Sequence, residues 1–432
     1  MLQVFRGEVL HFLDDPAKVG EQQSYQYFAD GVLVVDNGYV VECGDAAALL
    51  PRLGDDYQLT VYEQGLIMPG MVDTHVHFPQ IDMIASYGEQ LLEWLEKYTF
   101  PAERQFSDYQ HGVAMAEFFL QQLMACGTTT AMVFGTVHKQ SVEAFFSVAE
   151  RLNLRMICGK VLMDQNCPED LQDTPQSGYD DSKALIERWH NKARLQYAIT
   201  PRFAPTCSSE QLAKAGELLA LYPDVYLHTH LAENQQEIAW VKSLFPHADG
   251  YLDVYDQANL LTKRSVFAHG VHLCDSECQR LAQTQSAVSF CPSSNLFLGS
   301  GLFDLPKLKA HQVKVGIGSD VGAGTCLSIM KNLGEGYKVQ QLRGEKLTPF
   351  EGLYMATLGG AKALDLDDRI GNFLPGKEAD FTVIDLAAST LLKRRIANCN
   401  TLAEKLFVLT MLSDERHIKA THIMGEVAFS AF

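Results

Sequence analysis

Apolar, β-type runs alternate with longer helical patterns through the middle of this chain, and no other feature restricts its possible folds as much. Strand-like residues 128–134, 155–163 and 195–199 are separated by helical patterns at 141–152 and 182–192. The order continues with a helix at 209–221, a strand at 225–229, a helix at 234–244, a strand at 266–268, a helix at 275–284 and a strand at 288–290. It closes with a strand at 313–317 and a helix beginning near Ser328. Repeated β-then-α order calls for parallel strands joined by crossover helices, and a length of roughly 300 residues suits a (β/α)8 barrel with insertions. A doubly wound sheet shares this local signature, because periodicity does not count the strands around a closed barrel. No internal repeat or low-complexity tract is present, which argues against a solenoid.

The two ends of the chain read differently. Residues 1–65 hold short strand patterns at 2–10, 31–35 and 39–43, with Asp36-Asn37-Gly38 as a hairpin signal between the last two. The C-terminal part repeats the style at 381–384, 417–420 and 421–429, the last carrying a turn at Met424-Gly425. The two sets are expected to pair into one small β-sandwich domain built from residues 1–65 and 371–432, leaving 66–370 as the catalytic barrel.

Composition narrows the partners. The chain has 432 residues, enough for a large enzyme domain and a smaller one. Its formal charge is -18, with 35 Lys+Arg against 53 Asp+Glu, so the average surface repels phosphate backbones and anionic membranes. The longest basic run, Lys393-Arg394-Arg395, is too short for a nucleic-acid stripe. Arg6, Glu8, Asp14 and Asp15 interrupt the N-terminus before any long apolar stretch, and no run approaches the roughly 20 residues of a membrane span. A cytoplasmic location is the expectation. Ten cysteines are scattered without a CxxC pair. Cys274 and Cys278 are the one local pair to weigh as metal ligands, and their helical spacing suits ordinary packing as well.

Residues 65–72 are apolar, turn at Pro69-Gly70, and run into Asp73-Thr74-His75-Val76-His77. On an extended chain His75 and His77 share one face about 6–7 Å apart, so both imidazoles can reach one ion. Alone, such a pair also describes ordinary strand histidines. Three later strand ends add weight: 225–231 contains His228-Thr229-His230, 266–268 leads to His269, and 314–318 leads to Ser319-Asp320. A barrel gathers the C-terminal ends of its strands around one mouth, where residues distant in sequence converge. Imidazole nitrogens and a carboxylate suit zinc, one ion per chain, although other first-row divalent ions accept the same donors. Spacing does not choose between His228 and His230, which point to the same side. Glu233, three residues past His230, brings a carboxylate near the metal without serving as a ligand; the plainer alternative is a helix-start carboxylate stabilised by exposed amides. Asp320 is placed to take a proton from water, and Glu233 to deliver one to substrate.

These residues sit in longer strings. They are Pro69-Gly70-Met71-Val72-Asp73-Thr74-His75-Val76-His77, Leu227-His228-Thr229-His230-Leu231-Ala232-Glu233-Asn234 and Ala268-His269-Gly270, followed by Phe290-Cys291-Pro292-Ser293-Ser294-Asn295. Gly316-Ile317-Gly318-Ser319-Asp320-Val321-Gly322-Ala323-Gly324, Ala356-Thr357-Leu358-Gly359-Gly360-Ala361 and the run from Ile370 to Asp380 complete the set. Together they resemble the amidohydrolase superfamily, in closest detail its guanine deaminase family, over about residues 65–385. The resemblance implies that His75, His77, His230, His269 and Asp320 hold one zinc, which decides for His230 over His228, and that Glu233 shuttles protons. It further implies purine contacts from Gln80, from Arg202 and Phe203, and from His230 and Asp320. The implied reaction replaces the 2-amino group of guanine with oxygen from water, giving xanthine and ammonia, with N3 protonated by Glu233 and no organic cofactor. A homodimer is implied as well.

The proposed contacts make chemical sense, since a guanidinium and an amide can satisfy a ring carbonyl and ring nitrogens while Phe203 packs on the flat purine. Taken singly, Gln80 also reads as a polar loop residue, Arg202 as a surface charge and Phe203 as a core aromatic. Rival readings are a relative acting on cytosine, an adenosine-like thioether or a chlorinated triazine, which share the metal residues but need other substrate contacts. A non-enzymatic metal-binding barrel would lack the acid/base carboxylates, and both Glu233 and Asp320 are present. No phosphate-binding GxxxxGK or dinucleotide fingerprint occurs. Residues 89–98, with Trp94 and Tyr98, are a candidate lid or wall beside the mouth, or a segment packed on a neighbouring helix.

Overall fold

In the computed structural model, which describes residues 2–54, 56–88 and 91–431, the strands run in chain order as follows. The first four are β1 (Leu2–Phe12), β2 (Tyr25–Asp36), β3 (Tyr39–Asp45) and β4 (Tyr57–Pro69). Nine follow in the middle: β5 (Met71–His77), β6 (Thr128–Phe134), β7 (Arg155–Gly159), β8 (Val161–Leu162), β9 (Gln196–Pro201), β10 (Tyr226–Leu231), β11 (Ser265–His269), β12 (Ala287–Phe290) and β13 (Lys314–Ile317). The last three are β14 (Phe381–Asp385), β15 (Ile418–Ile423) and β16 (Glu426–Ser430).

Both chain ends enter one seven-stranded sheet, in the order β16-β15-β14-β4-β1-β2-β3. β4 joins the two sets, parallel to β1 on one side and antiparallel to β14 on the other. The small β domain is therefore one continuous sheet, with register shifts in β1 near Gly7. Phe5, Leu33, Val35, Ile67, Phe381 and Val383 fill one of its cores, whereas Val4, Val32 and Val34 pack with Ala46 and Leu49 in another. Coverage of both faces explains why residues 32–35 form an unbroken apolar run. The β2–β3 hairpin turns at Asn37 and Gly38, with φ of 50° and 84°, as the Asn-Gly pair requires.

The middle strands close a barrel. Eight parallel strands follow the order β5-β6-β7-β9-β10-β11-β12-β13, with β8 pairing beside β9. Sequential neighbours all the way round exclude the doubly wound alternative, whose strand order reverses at a switch point. The seam between β5 and β13 is joined at its upper end, where the Asp320 N–H donates to the His75 carbonyl and the His77 N–H to the Val321 carbonyl, both at 2.9 Å. Lower down, Val72, Met132, Ile157, Ala198, Tyr226, Val266 and Ala287 meet in one buried cluster. Ala361, Ala363, Leu364, Leu366 and Ile370 plug it from below, so the barrel is a filled core open only at its top.

Gly70 alone separates the terminal sheet from the barrel. A Cβ there would lie 2.0 Å from Thr129 Oγ1, so only glycine allows β4 to hand over directly to β5. The C-terminal return is fastened by buried charges. Glu378 accepts from Arg155 Nε at 2.7 Å and Arg194 Nη2 at 2.6 Å, and Asp380 also pairs with Arg194.

Three features depart from the sequence reading. Residues 155–163 form two strands rather than one, broken at Lys160, whose ammonium meets Asp173 at 2.6 Å. The helix Tyr109–Ala125 precedes β6, and the helices Thr390–Ile396 and Leu402–Leu412 lie within the C-terminal segment expected to be β. Leu402–Leu412 packs against the helices Ile329–Leu342 and Pro349–Ala356. Its apolar residues surround the helix instead of forming a stripe, which hides its period from a sequence reading. Among the described residues, no helix is long and apolar enough to cross a membrane.

Candidate active site

The top of the barrel brings the predicted residues together. His75 and His77 end β5, His228 and His230 lie near the end of β10, His269 ends β11, and Asp320 follows β13. Nε2 of His75 lies 3.0 Å from Asp320 Oδ1, and Nε2 of His77 lies 3.3 Å from the same oxygen. His77 Nε2 is also 3.3 Å from the Nε2 atoms of His75 and His230. One potential ligand atom from each of His75, His230, His269 and Asp320 falls within 4.8 Å of all the others.

His228 and His230 share a face but not a role. His228 directs Nε2 at Nδ1 of His75, 2.7 Å away, and so backs the cluster from below. His230 donates from Nδ1 to the Arg202 carbonyl at 2.7 Å, which fixes the tautomer and leaves the Nε2 lone pair facing inward. The Asn295 amide braces Nδ1 of His269 at 2.9 Å.

Burial disfavours the charged form of three of these imidazoles. It lowers His269 to about 3 and His77 to about 4, and takes His230 well below its usual range. Burial opposes ionisation of Asp320, but His75 and His269 outweigh it and hold that carboxyl well below the ordinary range. Convergent imidazole nitrogens of His75, His230 and His269, each held on its far side, and the Asp320 carboxylate make a donor set able to bind a divalent metal. Two of these residues occupy the left-handed backbone region, His269 at φ 73° and Asp320 at φ 48°. Such strain costs about 1–3 kcal/mol per residue and persists where surrounding structure enforces it.

Glu233 lies beside the cluster. Its Oε1 accepts from Ser300 Oγ at 2.8 Å, and its Oε2 sits 3.4 Å from Nε2 of His269. Burial raises its carboxyl well above the usual range, helped by the charges of Asp320 and Glu237 and opposed by Ser300. Glu237, not Glu233, takes the helix-start role: its Oε2 accepts from the N–H groups of Glu233 at 2.9 Å and Asn234 at 3.1 Å, opening the helix Gln235–Leu244. The Glu233 side chain is thereby left to the cavity.

The cavity there is lined by Gln80, Trp94, Arg202, Phe203, Glu233 and, from the histidine–aspartate cluster, His77, His230, His269 and Asp320, among others. Gln80 and Arg202 are buried, at 3% and 2% exposure, which rules out a loop-surface or surface-charge role. Phe203 is buried at the cavity wall and edge-on to Trp240. Sequence reasoning missed Glu103, which binds both Gln80 and Arg202 from behind. It missed Ser300 as well; neither sits in a motif whose spacing would betray it. Of the candidate lid, Glu89 and Gln90 lie outside the described residues. Leu91, Trp94 and Leu95 wall the cavity, and Tyr98 packs beside Trp94. Cys274 is exposed at the start of the helix Asp275–Gln283 and Cys278 is buried, away from the metal-type cluster.

A filled barrel with histidines and an aspartate at its open end, and an acid beside them, defines a metal-dependent hydrolase. A sequence model of the amidohydrolase family matches residues 66–428, and the chain belongs to that family. It is 51% identical to the guanine deaminase of Escherichia coli K12, over 99% of this chain and 98% of that one. It is 38% identical to a probable guanine deaminase of Deinococcus radiodurans, over 99% of each. A solved structure of guanine deaminase from C. acetobutylicum, with guanine bound in its active site, superposes with a TM-score of 0.89 at 27% identity, covering 99% of this chain and 100% of that one.

Proposed function

We propose that this chain hydrolytically deaminates guanine to xanthine and ammonia, using one zinc ion held by His75, His77, His230, His269 and Asp320. The observation that carries the proposal is one cavity lined together by His77, His230, His269 and Asp320, by Glu233, and by Gln80 and Arg202. Similarity to guanine deaminases over nearly the full chain supports the substrate.

A divalent metal at such a site lowers the pKa of bound water towards neutrality and polarises the bond under attack. The chain supplies the rest. Guanine presents acceptors at O6 and N7, matched by N–H groups of Arg202, with the buried Gln80 amide beside it on the cavity wall. Phe203 packs against the ring, and His230 and Asp320 flank the reacting carbon. Glu233, whose carboxyl burial shifts towards the protonated form, delivers its proton to N3 as oxygen adds at C2. Asp320 accepts one proton from water and helps pass it to the departing amine, and the second, released as the C2 hydroxyl becomes the carbonyl, returns to Glu233. Residues 66–370 carry this chemistry, residues 1–65 and 371–432 form the supporting domain, and the protein works in the cytoplasm as a homodimer without nucleic-acid or membrane partners.

Ammonia release is to be measured with guanine, adenine, cytosine, adenosine and a triazine, with metal content determined on the same sample. Guanine is expected to exceed every other substrate by ~100-fold or more in kcat/KM. Activity confined to cytosine would overturn the substrate while leaving the metal site intact.

A further inference from the structure

We propose that Glu103 is a positioning residue that sets which purine edge the cavity accepts, by holding Arg202 as a hydrogen-bond donor and keeping the Gln80 amide oxygen turned away. The inference rests on the reading that the cavity takes a guanine-type purine. Glu103 ends the one-turn helix Phe100–Glu103, is fully buried, and lies behind the cavity wall. Its Oε1 accepts from Arg202 Nη1 and Nη2, both at 3.0 Å, and from Gln80 Nε2 at 3.2 Å. Its Oε2 accepts from Arg202 Nη1 at 2.8 Å. Phe100, on the same helical turn, lies under the guanidinium, 5.4 Å from ring centre to Cζ.

One carboxylate thus orients two side chains on different elements. The Gln80 amide is held from its other end too, because Oε1 accepts from the Gly322 N–H at 3.2 Å. Turning that amide over would set Oε1 against the Glu103 carboxylate and Nε2 against the Gly322 N–H, two repulsive contacts in place of two attractive ones. Gln80 Nε2 also lies 3.2 Å from Nδ1 of His77, so its N–H groups are engaged within the protein; Arg202 supplies the free N–H groups, and neither side-chain head presents an acceptor. A ligand edge bearing a 6-oxo group and N7 is complementary, whereas a 6-amino group sets donor against donor. Without the carboxylate, Gln80 loses one of its three restraints and keeps only the Gly322 N–H and His77 contacts, so its oxygen turns towards the cavity more readily, and Arg202 is left as a buried charge without its partner. Glu103 acts through these two side chains.

The test is equilibrium binding of hypoxanthine and adenine to the metal-loaded protein, since neither ligand carries the 2-amino group that would be released. The wild type is expected to prefer hypoxanthine by ~100-fold or more, and Glu103→Gln to cut that preference by ~10-fold or more while keeping its metal content and cooperative unfolding. Loss of fold alone would weaken both ligands together, so the ratio reports positioning. Should Glu103→Gln fail to fold, Glu103→Asp keeps the charge but is too short to hold both partners, and the same narrowing is expected. An unchanged ratio in the folded variant, or no preference in the wild type, overturns the proposal. Guanine turnover on the same samples separates it from the proposed reaction: preference without ammonia release refutes the deamination alone, and ammonia release with an unchanged ratio refutes the role of Glu103 alone.

Discussion

Glu233→Gln is expected to keep its metal and to lose turnover by ~10³-fold or more, within the range that a positioned acid/base contributes. The substitution preserves shape, and an amide oxygen still accepts from Ser300 Oγ, the 2.8 Å partner of the carboxylate. The metal-type donors converge without Glu233, which stays 3.4 Å from the nearest of them, Nε2 of His269. What the variant lacks is a proton to give and a site to take it back. Burial raises the Glu233 carboxyl well above its usual range, which favours the protonated form that can serve N3 of guanine. Initial rates of ammonia release, with metal measured by atomic emission, decide the matter. Near-wild-type rates in Glu233→Gln would show that the proton shuttle lies elsewhere.

His75→Ala is expected to lose metal and turnover together, with activity falling to the detection limit. His75 contributes the Nε2 nearest to Asp320, at 3.0 Å, and its loss strands the His228 ring that backs it at 2.7 Å. The hydrogen bond closing the barrel uses the His75 carbonyl, which alanine keeps, so the barrel itself is expected to survive. His228→Ala leaves every inward-facing donor in place and is expected to weaken metal binding by about 10–100-fold, as for other groups that orient a ligand from behind. Metal titration of the two variants measures the difference. Equal losses would mean that the roles assigned to His75 and His228 are wrong.

The site was largely legible because a barrel places its chemistry at strand ends, and strand ends show in sequence as polar residues stopping an apolar run. His75, His77, His269 and Asp320 stand at such stops. His228 and His230 could not be separated by period, since both face inward; the two-residue difference in depth, about 6–7 Å, sends one to the cluster and one beneath it. Glu233 read from sequence as a possible helix-start carboxylate, and the cap at Asn234 gives that role to Glu237 instead. Glu103 was illegible for a different reason. Its meaning comes from Gln80 after β5 and Arg202 after β9 reaching the same carboxylate, a convergence with no local pattern. In the fold, the terminal strands announced themselves by alternation and by the Asn37-Gly38 turn, but whether they formed one sheet or two depended on β4 pairing with both β1 and β14.

A single-ion deaminating centre is tested most directly by stripping the protein of metal and titrating zinc back while following ammonia release from guanine. Activity is expected to start at background, rise in proportion to added zinc and level off at one ion per chain. Full activity in the stripped protein, or a plateau reached only at two ions per chain, would contradict it.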